Sequence, residues 1–173
     1  MTASVVVRAA TQADAPYLGA LFRHADVAPF LASVRPSSDE AVAAEIARAH
    51  DDPDGYGVVV FEVDGRSVGT ATWERVNRRS RIASVGGFVI DPEHRGRGLS
   101  VDAARALHAH LFGLGFHRLQ MEVYGFNERG LSHAERAGWV REGVRRRAYW
   151  RNETWVDGVL FGLVEDEFVS EPQ

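Results

Sequence analysis

The stretch "FVIDPEHRGRGLSVDAARALHAH" (88–110) joins an apolar segment to a helical pattern through a turn with two glycines and two arginines. Gly96 and Gly98 let the backbone approach a ligand closely, and the free N–H groups at the start of the following helix form a ready anion site. Arg95 and Arg97 add positive charge around that site. A tight structural turn explains the same residues, so this stretch alone leaves phosphate binding and a plain turn both open.

The two common phosphate-binding loops do not match this stretch. A Walker-type loop requires Lys-Ser/Thr after its last glycine, where this chain has Leu99 and Ser100. The dinucleotide fingerprint G-x-G-x-x-G requires a third glycine, where this chain has Val101. The common nucleotide-binding folds are therefore disfavoured.

The segments before the loop predict three antiparallel strands. Residues 56–63 and 66–76 are β-rich and are joined by Asp64-Gly65, which tolerates the positive φ angles of a two-residue hairpin. Residues 81–90 form the next apolar segment. Ahead of these strands the patterns predict one further strand and two helices: a strand at 4–10, a helix begun by Thr11 and Asp14, and a helix within 37–52.

The segments after the loop complete an α/β pattern. They are a helix at about 98–112, a strand at 117–124, a helix at 128–137 capped by Asn127, and a closing hairpin of 139–150 with 155–164. A right-handed crossover makes the strand at 117–124 parallel to the strand at 81–90. The order predicts a mixed, mostly antiparallel sheet of about seven strands, with a central parallel pair and about four flanking helices.

Bulk properties narrow the classes of partner. The length predicts one domain over residues 1–173, and the net charge of −4 disfavours nucleic acid and anionic membranes. The absence of cysteine excludes disulfides, thiolate zinc sites and a cysteine nucleophile, and the scattered histidines predict no metal site. No signal peptide or long apolar run is present, so we expect a cytoplasmic protein.

Three segments in register resemble one family. "GGFVIDPEHRGRGLS" (86–100) resembles the cofactor-binding motif of the GNAT superfamily of acetyl-CoA-dependent N-acetyltransferases. "NERGLSHAERAGWVREG" (127–143) is similar to its second signature, in which Asn opens a short helix. "AYWRNETWVDGVLFGL" (148–163) resembles the branch of ribosomal-protein N-terminal alanine acetyltransferases, the RimJ/RimL-like enzymes.

The resemblance implies a GNAT-like fold that binds acetyl-CoA as a cosubstrate. N–H groups from Arg95 through Ser100 would cradle the pyrophosphate of CoA, and the strand end at 88–90 would pair with the pantetheine arm like an added strand. Asn127 would contact that arm from the other side, or only cap its helix. The implied cofactor-binding residues are Phe88, Val89, Ile90, Arg95, Gly96, Arg97, Gly98, Leu99, Ser100 and Asn127.

The chain departs from the family pattern where catalysis is expected. The tyrosine that many relatives use to protonate the departing thiolate would fall near Ala134, and the usual strand acid would fall near Val85. Ser100 and Gly130 replace a usual Gly/Ala and a frequent Ser. The usual general acid and general base are thus both missing.

Chemistry indicates which acceptor tolerates their absence. At pH 7 an α-amino group with a pKa of about 8 is roughly 10% neutral, whereas a lysine-like amine is roughly 0.04% neutral. We therefore expect a protein or peptide N-terminal α-amine as the favoured acceptor. An acetyltransferase for a small-molecule amine and a catalytically silent CoA-binding module of the same fold are the alternatives.

Other side chains are candidates for the missing catalytic groups. Tyr149 and Tyr124 could protonate the thiolate, although a buried, hydrogen-bonded tyrosine is more often a structural feature. Ser84 and Glu122 could position water, and Glu74 could face the amine or be solvated.

The last hairpin is rich in aromatic residues and arginines. Its tryptophans, Tyr149 and Phe161 predict core packing or a dimer contact rather than a substrate wall, so a homodimer stays open as a partner. The run Arg145 to Arg147 predicts a solvated strand face rather than an anionic-substrate site, since neighbouring strand residues point to opposite faces.

Overall fold

The computed structural model describes residues 4–31, 38–96 and 98–168. Its strands are β1 (Val6–Ala9), β2 (Tyr56–Val63), β3 (Arg66–Asn77), β4 (Ile82–Ile90), β5 (Arg118–Tyr124), β6 (Val140–Arg151) and β7 (Thr154–Val164). Its α-helices are α1 (Ala15–Arg23), α2 (Asp39–Asp51), α3 (Leu99–Gly113) and α4 (Glu128–Arg136). This succession of elements along the chain confirms the predicted one.

The seven strands form one sheet in the order β1-β2-β3-β4-β5-β7-β6. All neighbours are antiparallel except β4 and β5, so the predicted α/β fold with a mostly antiparallel sheet and a parallel pair is confirmed. The hairpin between β2 and β3 turns at Asp64 and Gly65, with φ angles of 50° and 72°. The local Asp-Gly signal was therefore sufficient to predict that turn.

Helices cover both faces of the sheet. Val58 and Val60 of β2 pack in one core with α1 and α2, whereas Val59 and Phe61 pack in the other core with α3. Alternate residues of a strand point to opposite faces, which is why this strand is apolar throughout. Every strand residue can therefore be assigned to the α1–α2 face or to the α3–α4 face.

The parallel pair of strands is short. β4 and β5 pair only through Ile82 with Arg118, Ala83 with Leu119, and Ser84 with Gln120. Beyond Ser84, β4 stays paired with β3 but carries one extra residue near Gly87, whose φ is 55°. This bulge bends β4 at the point where it leaves β5.

The aromatic residues of the last hairpin divide into two groups. Trp139 and Phe161 are buried in the core, as one of the two interpretations predicts. Trp150 and Trp155 are 59% and 58% exposed, and their rings meet edge to face at 5.3 Å between centroids. In the described residues, none of the helices has the length and apolar character needed to cross a membrane.

A partly buried ion pair joins β1 to the start of α1. The two Nη atoms of Arg8 donate to the carboxylate of Asp14 at 2.7 and 2.8 Å, and Thr11 donates to it through both its N–H and its hydroxyl. The hydrogen bonds from Arg8 lower the pKa of Asp14 to about 2. An unfolded aspartate has a pKa of about 3.9.

We therefore expect Asp14 to stabilise the fold fully above about pH 4 and progressively less as the pH falls toward 2. Asp14→Asn should lower the free energy of unfolding by about 2 kcal/mol at pH 7, and the two proteins should converge between pH 4 and pH 2.5. Urea unfolding monitored by circular dichroism, repeated across this pH range, measures the free energy of unfolding of the two proteins.

The matched control is Asp39→Asn, since the pair of Asp39 with Arg23 has both side chains 45% exposed. An exposed pair contributes less than about 1 kcal/mol. Equal losses for the two variants at pH 7, or a loss for Asp14→Asn that does not change with pH, would contradict the assignment.

Candidate active site

The parting of β4 from β5 opens a cleft of about 560 Å³. Residues of α2 and β2 line it on one face of the sheet, and residues of α3 and α4 line it on the other. The cleft therefore passes through the sheet between the two strands, and two molecules entering from opposite faces could meet inside it.

Strand alternation gives the two faces different chemistry. On β5, Leu119 packs in the core on the α3–α4 face, so Glu122 and Tyr124 belong to the α1–α2 face. On β4, Ala83 and Val85 likewise face α3, which leaves Ser84 on the α1–α2 face. All four predicted catalytic side chains line the cleft: Ser84, Glu122, Tyr124 and Tyr149.

Glu122 is the centre of one polar cluster. Tyr149 donates its hydroxyl proton to Oε2 of Glu122 at 2.8 Å, and Nη1 of Arg145 lies 3.3 Å from the same oxygen. The Oε1 atom is buried without a hydrogen-bond partner among the described residues. Burial, and then the bond to Glu122, raises the pKa of the Tyr149 hydroxyl above its ordinary value. The cluster thus holds a carboxylate with one oxygen still to be satisfied.

Tyr124 is held differently. Its hydroxyl accepts a hydrogen bond from Nε of Arg151 at 2.8 Å, and its ring is stacked against Phe126 at 5.3 Å between centroids. The residue is only 2% exposed although it borders the cleft. Both candidate tyrosines are therefore bonded to a charged group of the protein.

A second polar cluster lies on the α1–α2 face, and sequence reasoning singled out only one of its members, Glu74. The Tyr56 hydroxyl donates to Glu45 at 2.7 Å, and Arg48 lies 3.9 Å from Glu45 and 3.1 Å from Glu74. Glu74 pairs across the sheet with Ser84. These residues come from α2, β2 and β3, and only the packing of α2 on the sheet brings them together. Their positions along the chain carry no signal of it.

The end of β4 offers its backbone to the cleft. Phe88 lines the cleft, whereas the side chains of Val89 and Ile90 are buried in the two cores. Beyond Ser84 the β5 side of this strand has no strand partner in the described part of the chain. The Ile90 carbonyl accepts a hydrogen bond from Nε of Arg95 at 3.2 Å, which fastens the following turn to the strand.

The glycines of the turn have backbone angles that favour glycine. Gly96 has φ 86° and Gly98, which caps α3, has φ 75°. A Cβ at either position would meet no atom within 4 Å, so the space beside them is open, as a pyrophosphate requires. The first turn of α3, with Leu99 and Ser100, offers N–H groups that lack helical acceptors.

The arginines of the turn are less informative. The N–H of Arg95 already donates to the Pro92 carbonyl at 3.4 Å and its side chain bonds to Ile90, so its contact with phosphate stays a prediction. Arg97 lies outside the described residues.

Asn127 caps α4, as predicted. Its Oδ1 accepts from the N–H of Gly130 at 3.0 Å, and the residue borders the cleft, where its Nδ2 can serve as a donor. A Cβ at Gly130 would lie 2.5 Å from that Nδ2 and 3.0 Å from Val123, which explains glycine at this position. The contact of Asn127 with a cofactor stays a prediction.

The relatives of this chain among known proteins include two N-acetyltransferases of moderate similarity. "Probable N-acetyltransferase YjcK" of Bacillus subtilis (strain 168) is 26% identical over 105 residues, which are 60% of this chain and 58% of that protein. An uncharacterized prophage-derived N-acetyltransferase of that strain, YokL, is 24% identical over 116 residues, 66% of this chain and 65% of that protein. The chain thus spans less than two thirds of the length of either relative.

Solved structures share the fold over nearly the whole chain. Spermidine N-acetyltransferase from Vibrio cholerae, solved with CoA and spermine, superposes with a TM-score of 0.85 at 18% identity, covering 96% of this chain and 99% of that one. Ribosomal-protein-S5-alanine acetyltransferase from Vibrio fischeri gives 0.81 at 19% identity, covering 98% of each chain. The fold alone therefore does not distinguish the ribosomal-protein branch from the spermidine branch.

The family model for the acetyltransferase (GNAT) domain matches residues 4–140, which include the glycine turn and the split between β4 and β5. With that match, the chain belongs to the GNAT acetyltransferase family.

Proposed function

We propose that the protein transfers an acetyl group from acetyl-CoA directly to a primary amine, and that the favoured acceptor is the α-amine of a protein or peptide N-terminus. The observation that carries the proposal is the cleft through the sheet. It has a free strand edge and a glycine turn for the cofactor, and ionisable side chains on the α1–α2 face for the amine.

The residues around the α3–α4 side match the parts of CoA. Backbone N–H groups from Gly96 to Ser100 bind the pyrophosphate at the start of α3, where the partial positive charge of the helix favours an anion. The open edge of β4 at Phe88 binds the pantetheine amides, and Nδ2 of Asn127 donates to them from α4. Bound acetyl-CoA supplies a thioester carbonyl that an amine can attack.

The opposite face supplies the groups that act on the amine. The Glu122 carboxylate takes up the proton that the amine loses, while the Tyr149 hydroxyl and Arg145 hold its Oε2 atom in place. The buried Oε1 atom gains a partner when an ammonium or amine hydrogen reaches it. Backbone N–H groups of β4 near the bulge stabilise the negative charge on the carbonyl oxygen.

A second acceptor class has a specific observation in its favour. Glu45, Glu74 and Glu122 all border the cleft, and such carboxylates suit a small molecule that carries several ammonium groups. The Vibrio cholerae enzyme of the same fold was solved with spermine. Arg48 neutralises part of that charge by pairing with Glu74 and Glu45, which supports the α-amine as the first choice.

The decisive experiment follows thiol release from acetyl-CoA with N-terminal peptides, lysine, polyamines and aminoglycosides. We expect peptides with a free α-amine to react faster than any lysine side chain. Faster acetylation of polyamines would support the small-molecule alternative. Thermal stabilisation by CoA without turnover of any acceptor would support a silent CoA-binding module.

Gly98→Ala tests the pyrophosphate cradle. A Cβ at φ 75° costs about 1 kcal/mol, which the free turn can relieve by changing conformation but the CoA-bound turn cannot, so we expect CoA to bind about fivefold more weakly in calorimetry. Gly65→Ala is the matched control, since its φ of 72° imposes the same strain in a hairpin outside the cleft. Equal CoA affinity in the two variants would contradict the assignment.

Glu122→Gln tests the carboxylate. The amide keeps the size of the side chain and an acceptor for Tyr149 but loses its basicity, so kcat should fall about 100-fold with CoA affinity unchanged. Glu153→Gln, an exposed change in the turn between β6 and β7, should leave kcat as it is. A drop in CoA affinity that matches the drop in kcat would show that Glu122 acts in folding or binding instead.

A further inference from the structure

The α3–α4 side of the cleft must also receive the sulfur of CoA. On that side the polar side chains that line the cleft in the described part of the chain come from few positions: Trp73, His108, Asn127, His133 and Trp139. Asn127 is already assigned to the pantetheine amides, and His108, Trp73 and Trp139 are only 1%, 5% and 5% exposed. His133 is therefore the polar side chain on this side that remains for the sulfur.

His133 lies against the strand edge that receives the pantetheine arm. Its ring is stacked on Phe88 at 5.1 Å between centroids and at 26° between planes. Asn127 and Gly130 are neighbours at three-residue spacing, as are Gly130 and His133, and all three line the cleft. A sulfur at the end of an arm held by Phe88 and Asn127 therefore comes next to the imidazole.

The imidazole of His133 is a neutral hydrogen-bond donor at neutral pH. Burial, and then Arg136, lower the pKa of His133 to about 4, so the ring is uncharged at neutral pH and carries one proton. Its Nδ1 atom is buried without a partner in the described part of the chain. We infer that the proton is on Nε2, the other ring nitrogen, because a buried N–H group without a partner is less common than a buried acceptor without one.

The charged and titratable groups around His133 also favour an anion. Arg136, on the same helix, lowers the pKa of His133. His108 faces His133 from α3, and its own pKa is lowered in part by Arg105. The residue of β4 that contacts His133 is the uncharged Phe88. These groups are cationic or neutral. They stabilise a negative charge placed beside the ring.

We propose that His133 is a catalytic residue that donates a hydrogen bond from Nε2 to the sulfur of CoA as the thiolate departs. This inference rests on the proposed acetyl transfer. The amine nitrogen forms the C–N bond, its proton passes to Glu122, and the C–S bond breaks with its electron pair remaining on sulfur. His133 keeps its proton throughout, and the thiolate and Glu122 exchange protons with water afterwards.

The test measures the pKa of the CoA thiol when CoA is bound, from the ultraviolet absorbance of the thiolate during a pH titration. A free thiol of this kind has a pKa of about 8.5. With wild-type protein we expect a value about one unit lower, a tenfold shift toward thiolate. His133→Phe keeps the ring stacked on Phe88 but has no donor, so the shift should disappear.

Two further variants complete the test. His133→Gln retains an N–H donor and should keep part of the shift, and His117→Phe, an exposed change at the start of β5, should keep all of it. Desulfo-CoA, which lacks the thiol, should bind equally to wild-type protein and to His133→Phe.

The outcomes separate the two proposals. Failure of CoA to bind the wild-type protein would overturn the proposed function. Binding of CoA with an unshifted thiol pKa, or a shift that persists in His133→Phe, would overturn the role of His133 alone. Equal weakening of CoA and desulfo-CoA by His133→Phe would assign the residue to packing and overturn it as well.

Discussion

The early parting of β4 and β5 is the constraint on which the rest of the site depends. Two parallel strands that stay paired present a closed sheet, but here pairing ends at Ser84 and a bulge at Gly87 bends β4 away. The separation leaves the backbone of β4 open for pairing with a ligand and creates a passage through the sheet. Helices on both faces bury the strands around the gap, so the gap is held open by two cores.

Strand alternation then separates the chemistry of the two faces. Glu122 and Tyr124 point to the face of β5 opposite to Leu119. The carboxylate and hydroxyl groups therefore lie on the α1–α2 face, away from the core that contains α3. The α3–α4 side receives apolar residues and two histidines. The two sides of the cleft are thus separate environments, one with ionisable side chains and one mainly apolar, that meet only at the gap.

Features that depend on neighbours in the chain could be predicted from the sequence, and features that depend on packing could not. The Asp64-Gly65 turn and the Asn127 cap are local, and both were predicted correctly. Arg48 on a helix and Glu74 on a strand are 26 positions apart in the sequence. Their spacing therefore gives no indication of the contact between them. The role proposed for His133 could not be predicted, because the family pattern places the proton donor at the next position, Ala134.

The departures from the family pattern follow from how this core is packed. Val85 is 7% exposed and Ala134 is fully buried in the α3–α4 core, so a carboxylate or a tyrosine hydroxyl placed there would enter an apolar cluster. The acidic chemistry instead lies on the opposite face, where Tyr149 reaches Glu122 across the intervening strand β7. That reach requires glycine at 158, since a Cβ there would collide with the Glu122 carboxylate and lie 2.8 Å from the Tyr149 ring. A glycine in the closing hairpin thus allows the Glu122 carboxylate and the Tyr149 hydroxyl to meet over β7.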